Sequence, residues 1–334
     1  MRAATLIETI KAMYSTSLKR SICIEGAPGG GKTSVVQQVA KELGVHYIEK
    51  HMPTMLVEDF GVPDLIKDGN TFGYKIPDWF PAKGTAYDDG KGGILCFDDR
   101  NQSNADLQKV LANICQAKNL HGVQMADGWM VVSTGNRQSD RAGSNRVLSH
   151  LRNRETVIEY ETHLDDWTQW AIDNGVRSEV VSFIRFRTGL LHQFDPNLDV
   201  NPTPRSWVEG VSPILDVVPK DAEFECFKGA VGEGPAAEFT GYLKIYRNLP
   251  NPDVILMNPE TAKVPTDPAT LYALTGSLAA RATESNFDRL VKYLGRIPPE
   301  FGVLCMTMAV RRDNNLCQTA TFGRWSVENQ NVLF

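Results

Sequence analysis

Gly26-Ala27-Pro28-Gly29-Gly30-Gly31-Lys32-Thr33 fits G-x-x-x-x-G-K-[ST], and no other stretch constrains the fold of this chain so tightly. A loop of this kind works only where a buried strand delivers the chain into a tight turn and a helix leads it away. Both flanks comply. Ile22 to Ile24 is a short apolar run, and Val35, Val36, Val39 and Leu43 recur at helical spacing before Gly44. Glycines let backbone N–H groups close around phosphate oxygens without a Cβ in the way, and the helix N-terminus adds partial positive charge. Lys32 can reach the β- and γ-phosphates, and the Thr33 hydroxyl is placed to ligate Mg²⁺. The candidate nucleotide-binding set is Gly26, Ala27, Pro28, Gly29, Gly30, Gly31, Lys32, Thr33 and Ser34.

A second buried strand, Gly93 to Phe97, runs into two acids, Asp98 and Asp99. Asp98, at the C-terminal end of that strand, is the expected partner of Mg²⁺ beside the phosphate loop. The next helix starts near "SNAD", with Ser103 expected to cap it, and buries Leu107, Val110, Leu111, Ile114 and Cys115. "VHYIE", "MVVSTGN" and "TVIEY" read as further strands, and Leu6, Ile7, Ile10 and Met13 as one face of an N-terminal helix. Strands alternating with helices imply an α/β fold, a mostly parallel sheet sandwiched by helices. After Tyr160 the strand patterns stop and helical ones follow. The expected division is an α/β nucleotide-binding domain over 1–160, an all-helical lid over 161–248, and a mainly helical C-terminal region over 249–334. "DLIKDGNTFGYKI" reads as a hairpin inserted before the acidic strand.

Composition narrows the function classes. Net charge is −5, which argues against a broad nucleic-acid-binding face. No apolar run is long enough to span a membrane, and the N-terminus lacks an apolar signal core. Six scattered cysteines without a C-x-x-C pair read as reduced thiols in a cytoplasmic protein. No H-E-x-x-H or G-x-S-x-G occurs, so zinc-enzyme and serine-hydrolase readings fall away.

Taken in order, "GAPGGGKT", "ILCFDD", "VVSTGN", "LRNRETVIEY" and "NPTPRSW" resemble an AAA+ ATPase, more narrowly the MoxR-like branch close to the dynein-related type. The resemblance implies a P-loop NTPase-type core using ATP and Mg²⁺. It implies that Asn136 is the sensor facing the attacking water or γ-phosphate, and that Arg154 is the arginine presented to a neighbouring subunit's nucleotide. Arg146 and Arg152 are the nearby substitutes for Arg154. Similar proteins carry Phe after that arginine, where this chain has Glu155. Arg205 matches a second sensor from the helical lid. Asp99 occupies the place of the water-polarising glutamate and is one methylene shorter, a retraction of roughly 1.5 Å. Since a misplacement of about 1 Å can cost on the order of 10²-fold in rate, a working but slow ATPase is expected.

The resemblance further implies a homo-oligomer, a hexameric ring closed by head-to-tail contacts, acting on a separate protein partner, for instance one of von Willebrand factor A type. Phe72, Tyr74, Trp79 and Phe80 are the exposed-aromatic candidates for gripping a partner, with "NLHGVQMADGW" a second candidate loop. Two other functions compete. A nucleic-acid motor or clamp-loader-like machine would show ATPase stimulation by DNA that weakens steeply with salt. A slowly hydrolysing, nucleotide-gated scaffold would bind ATP and assemble with negligible turnover. GTP stands as a lesser possibility beside ATP.

Overall fold

The computed structural model describes residues 1–65, 71–137, 140 and 147–330. They form two compact units, one of residues 1–163 with 194–196, the other of 164–193 with 197–334.

The first unit is built on a five-stranded sheet. Helix α1 (Ala3–Ser15) leads into β1 (Ile22–Gly26), α2 (Lys32–Leu43) and β2 (His46–His51). The hairpin β3 (Val62–Leu65) and β4 (Phe72–Lys75) precedes β5 (Gly93–Asp98) and α3 (Ala105–Ala117). A short ribbon, β6 (Asn119–Leu120) and β7 (Val123–Gln124), then leads to β8 (Trp129–Asn136), α4 (Ser149–Arg152) and β9 (Thr156–Glu159). The sheet order is β2-β5-β8-β1-β9 with every pair parallel.

Burial on both faces explains why Ile94 to Phe97 of β5 and Trp129 to Val132 of β8 are continuous apolar runs. Ile94 and Cys96 of β5, with Met130 and Val132 of β8, pack towards α1 and α2. Leu95 and Phe97, with Trp129 and Val131, pack towards α3 on the opposite face. Strands buried on both faces must read as continuous hydrophobic runs. The expected mostly parallel α/β core is the observed one.

Two local expectations are corrected. Asn104, not Ser103, caps α3, because its side chain accepts the N–H of Leu107 at 2.9 Å. The hairpin forms with Leu65 opposite Phe72, but its turn, Asp68-Gly69-Asn70, lies outside the described residues. Its aromatic set divides. Phe72 and Tyr74 are exposed, whereas Phe80 is fully buried and Trp79 packs edge-on against Phe60 at 5.3 Å. Tyr74 stacks on His121, 4.1 Å between ring centroids, so the two candidate loops touch each other.

The second unit is helical. It comprises α5 (Leu164–Asp173), α6 (Ser178–Phe186), a π-helical turn (Ser206–Val211), α7 (Glu223–Val231), α8 (Glu233–Arg247), α9 (Pro252–Met257), α10 (Pro268–Arg281), α11 (Phe287–Leu294), α12 (Pro299–Arg312) and α13 (Ala320–Glu328). Residues 161–248 and 249–334, expected as lid and extension, share one core from Leu164 onward. Phe183, Trp207 and Phe239 belong to the same apolar cluster as Leu274, Leu278, Phe287 and Phe301. The Pro/Asn-rich stretch between them contains α9, whose Ile255 and Leu256 are themselves buried in that cluster. Among the described residues no helix is long and apolar enough to cross a membrane.

Candidate functional site

The site forms at the C-terminal edge of the sheet, where strand register sets which side chains meet. Strand β8 lies between β1 and β5, and pairs Gly26 with Asn136. On the other side β2 pairs His51 with Asp98. The phosphate loop, the sensor position and the acidic pair are therefore neighbours across adjacent strands.

Gly31 closes the loop with a left-handed backbone, φ +90°, which hands the chain to α2 at Lys32. That conformation suits glycine and little else. Lys32 is 6% exposed, and its Nζ donates to the carbonyls of Gly26 at 3.1 Å and Ala27 at 3.0 Å and to Asn136 Oδ1 at 2.9 Å. A buried ammonium is tolerable only with its donors used. The Tyr160 hydroxyl donates to Gly30 O at 3.0 Å and so ties the loop to the end of β9.

Asp98 stands on the α2 side of the sheet. Thr33 donates to its Oδ1, as does Thr134 at 2.6 Å, and His51 Nδ1 lies 3.1 Å from its Oδ2. Burial pushes the Asp98 carboxyl up, but the hydrogen bonds from Thr134, Thr33 and His51 outweigh it and hold its pKa below the usual value. Asp98 is thus a secure anion. His51, Asp98 and Asp99 each offer a ligand atom, all within 4.8 Å of one another. Mg²⁺ demands oxygen donors and keeps several waters, so the Thr33 hydroxyl and the Asp98 carboxylate suit it, while the imidazole serves better as the hydrogen-bond partner of Asp98.

Asp99 has a left-handed backbone, φ +51° and ψ +43°, uncommon for a residue with a side chain. Its N–H donates to Thr134 Oγ1 at 3.1 Å, and its carboxylate accepts from Asn136 Nδ2 at 3.3 Å and Gln102 Nε2 at 3.1 Å. Asn101 grips the tip of β8 with its amide, donating to Asn136 O at 2.5 Å and accepting from Asn136 N–H at 3.2 Å. The sensor candidate is therefore fixed at its backbone while its side chain bridges Lys32 and Asp99.

On the opposite face of the sheet lies Arg100, 1% exposed. Its Nε donates to Cys23 Sγ at 2.8 Å and lies 3.3 Å from Glu155 Oε2, and its Nη2 donates to Glu25 Oε1 at 3.2 Å. Arg152 is paired within its own subunit, its Nη2 donating to both Glu25 oxygens at 3.0 and 2.9 Å. Arg154, two residues on, makes no side-chain hydrogen bond or ion pair among the described residues and is partly exposed. Arg146 lies outside the described residues. Arg205 is exposed beside the π-helical turn of the second unit.

Register thus brings Lys32, Thr33, Asp98, Asp99 and Asn136 together. It also recruits His51, Thr134, Asn101 and Tyr160, which the sequence did not single out. Two of these had a faint signal: Thr134 lies in the same strand tip as Asn136, and Asn101 in the same turn as the acids.

Residues 21–154 match the family model for the AAA domain, dynein-related subfamily. No curated protein matches the chain. Among solved structures, a Cytophaga hutchinsonii protein provisionally described as an ATPase is 15% identical, with 92% of this chain and 79% of that one covered and a TM-score of 0.36. NtrX from Brucella abortus is 14% identical, covering 98% of this chain and 67% of that one at a TM-score of 0.35. The same protein in complex with ADP is 12% identical, with 99% and 67% covered and a TM-score of 0.34. Likenesses this loose say nothing about the chemistry of this chain.

Proposed function

We propose that this chain, whose residues 21–154 match the family model for the AAA domain, dynein-related subfamily, is a Mg²⁺-dependent ATPase of the MoxR-like kind. In this reading it forms a ring, shares each active site between neighbouring subunits, and acts in the cytoplasm to remodel or assemble a protein partner. The carrying observation is the meeting of Lys32, Asn136 and Asp99 through 2.9 and 3.3 Å hydrogen bonds, with Thr33 on the adjacent Asp98.

The residues divide the work. Backbone N–H groups of Gly26 to Ser34, at the start of α2, receive the phosphates. Lys32 turns from the loop carbonyls to the β- and γ-phosphate oxygens, exchanging neutral acceptors for charged ones. Thr33 and Asp98 would hold Mg²⁺, which would supply positive charge against the phosphates. Asp99 orients the attacking water and accepts its proton as the water oxygen bonds to the γ-phosphorus and the bond to ADP breaks. Asn136 holds that water in line with the bond being broken. Arg154 of one subunit reaches the γ-phosphate of the next, a contribution worth 10³ to 10⁵ in turnover where such arginines act. Arg205 serves as the second sensor.

The partner-facing candidates are the exposed apolar residues of the hairpin, Leu65, Phe72 and Tyr74. A second reading, a nucleotide-gated scaffold with little turnover, gains from Asp99, both of whose carboxylate oxygens already accept hydrogen bonds.

ATP hydrolysis against protein concentration, for wild type and Arg154→Ala, separates these. A rate per subunit that climbs with concentration and collapses in the variant supports the shared-site ATPase. A rate near zero at every concentration, with ATP bound, supports the scaffold.

A further inference from the structure

A buried ion pair, Arg100 with Glu155, and the half-buried Glu25 with the exposed Arg152 form a set of four charges that runs alongside the site without entering it. Arg100 faces Glu155 at 3.3 Å and Glu25 at 3.2 Å, and Arg152 grips Glu25 from the other side at 2.9 Å. Glu155 is 4% exposed, and its Oε1 also accepts from Ser133. Each member sits next to, or two residues from, a part of the proposed machinery. Glu25 precedes Gly26, Arg100 follows Asp99, and Glu155 follows Arg154.

Stability alone does not explain such an arrangement. Desolvating two charges offsets most of their attraction, and a well-packed apolar pair commonly serves a fold as well or better. Arg100 Nη1, moreover, is buried with no hydrogen-bond partner among the described residues. What the pair does provide is a fixed direction. Asp98 faces α2 and Arg100 the other face of the sheet, so the chain reverses at Asp99 in its left-handed conformation. The reversal is pinned on one side by Thr134 and on the other by Arg100, which donates to Cys23 and Glu25 and pairs with Glu155 at 3.3 Å.

We infer that Arg100 and Glu155 are positioning residues: their buried ion pair ties the turn carrying Asp99 to the segment carrying Arg154. The tie makes turnover at a subunit's own nucleotide respond to whether the arginine it lends is seated on its neighbour. It also accounts for the acid after Arg154, which is the partner Arg100 needs. The inference rests on the shared-site ATPase reading.

The test is a double-mutant cycle on turnover, with Arg154→Ala, Glu155→Gln and the two combined, read beside the affinity for a fluorescent ADP analogue. The tie predicts that Glu155→Gln keeps nucleotide affinity and KM within about threefold while kcat falls about tenfold or more. It predicts that the combined variant is no slower than Arg154→Ala alone. Losses that multiply, or a Glu155→Gln affinity that falls in step with the melting temperature, would mean a merely structural pair and overturn the tie. Should Glu155→Gln fold poorly, the apolar pair Arg100→Met with Glu155→Leu, on wild-type and Arg154→Ala backgrounds, gives the same reading. A wild-type rate indifferent to concentration and to Arg154 overturns the shared-site reading itself. A shared site with multiplying losses overturns the tie alone.

Discussion

Lys32 Nζ and Asn136 Oδ1 lie 2.9 Å apart, joining the start of α2 to the tip of β8. The bond exists because β8 lies between β1 and β5, so a strand-end amide projects between the phosphate loop and the acids. It gives the two residues separable jobs. Lys32→Ala removes the one side-chain cation of the loop and should weaken ATP binding by about 100-fold or more. Asn136→Ala should leave affinity within a few-fold and lower kcat by about 10²-fold, because its amide acts on the water rather than on the bound phosphates. Isothermal titration and steady-state kinetics on both variants read this directly, and equal losses of affinity in the two would contradict the division.

Asp99 should tolerate loss of charge for binding but not for turnover. Asp99→Asn keeps the side-chain shape but retains one acceptor where Gln102 and Asn136 use two, and it cannot accept a proton, so kcat should fall about 10²-fold with ATP affinity unchanged. Asp99→Glu tests the missing methylene. If the left-handed turn already restores reach, the longer acid should be no faster than Asp99, and a gain of about tenfold would show that the turn leaves the carboxylate short.

How much of this could be read beforehand follows from the physics of each part. The phosphate loop was legible because phosphate recognition by backbone N–H groups dictates residue types at fixed spacing. The buried parallel strands were legible because burial on both faces leaves a continuous apolar run, as in Ile94 to Phe97. The partners of Asp98 were not. His51 and Thr134 reach it only through register between strands distant in sequence, which no local pattern records. Glu155 read as an oddity after Arg154, and its reason lies in Arg100, which a spacing argument has no means to pair with it. Trp79 and Phe80 read as surface aromatics because a hairpin neighbourhood carries no sign of which rings turn inward. The boundary near residue 248 looked like a domain edge because prolines and asparagines cluster there, yet α9 within that stretch is buried in the same core as its neighbours.

Gly26 should not accept a side chain. A Cβ there would sit 2.6 Å from Tyr160 O, a backbone atom that cannot swing aside, since Tyr160 N–H is itself bonded to Glu25 O at 2.7 Å. Gly26→Ala should cost about 1–3 kcal/mol of stability and displace the loop, weakening ATP binding about tenfold or more. Gly241→Ala, inside α8 with no neighbouring atom within 4 Å of the added Cβ, is the control and should be neutral or stabilising. Thermal unfolding and nucleotide titration of the pair check both statements, and a Gly26→Ala protein that melts and binds like wild type would remove the close approach from the account.

Lys118 should make the first unit more stable in mild alkali. It ends α3 in a left-handed conformation, φ +52°, and burial lowers its ammonium from 10.5 to about 8, with Cys115 opposing weakly. Below about pH 8 the folded chain bears the cost of a half-buried charge, eased by its hydrogen bond to Ser21. Between about 8 and 10.5 the folded state releases this proton while the unfolded state keeps it, so the unfolded state binds more protons and stability rises with pH. The buried thiols of Cys96 and Cys115 run the other way, being pushed up by burial, and their contribution fades as pH rises past their ordinary range. The Lys118 effect is therefore read as a difference. Lys118→Gly removes the charge and suits the left-handed cap, so at pH 7 it should be more stable than wild type by about 1–3 kcal/mol. That advantage should shrink steadily towards pH 10. Urea unfolding of wild type and variant from pH 7 to 10 measures it, and an advantage constant with pH would assign the gain to the backbone alone.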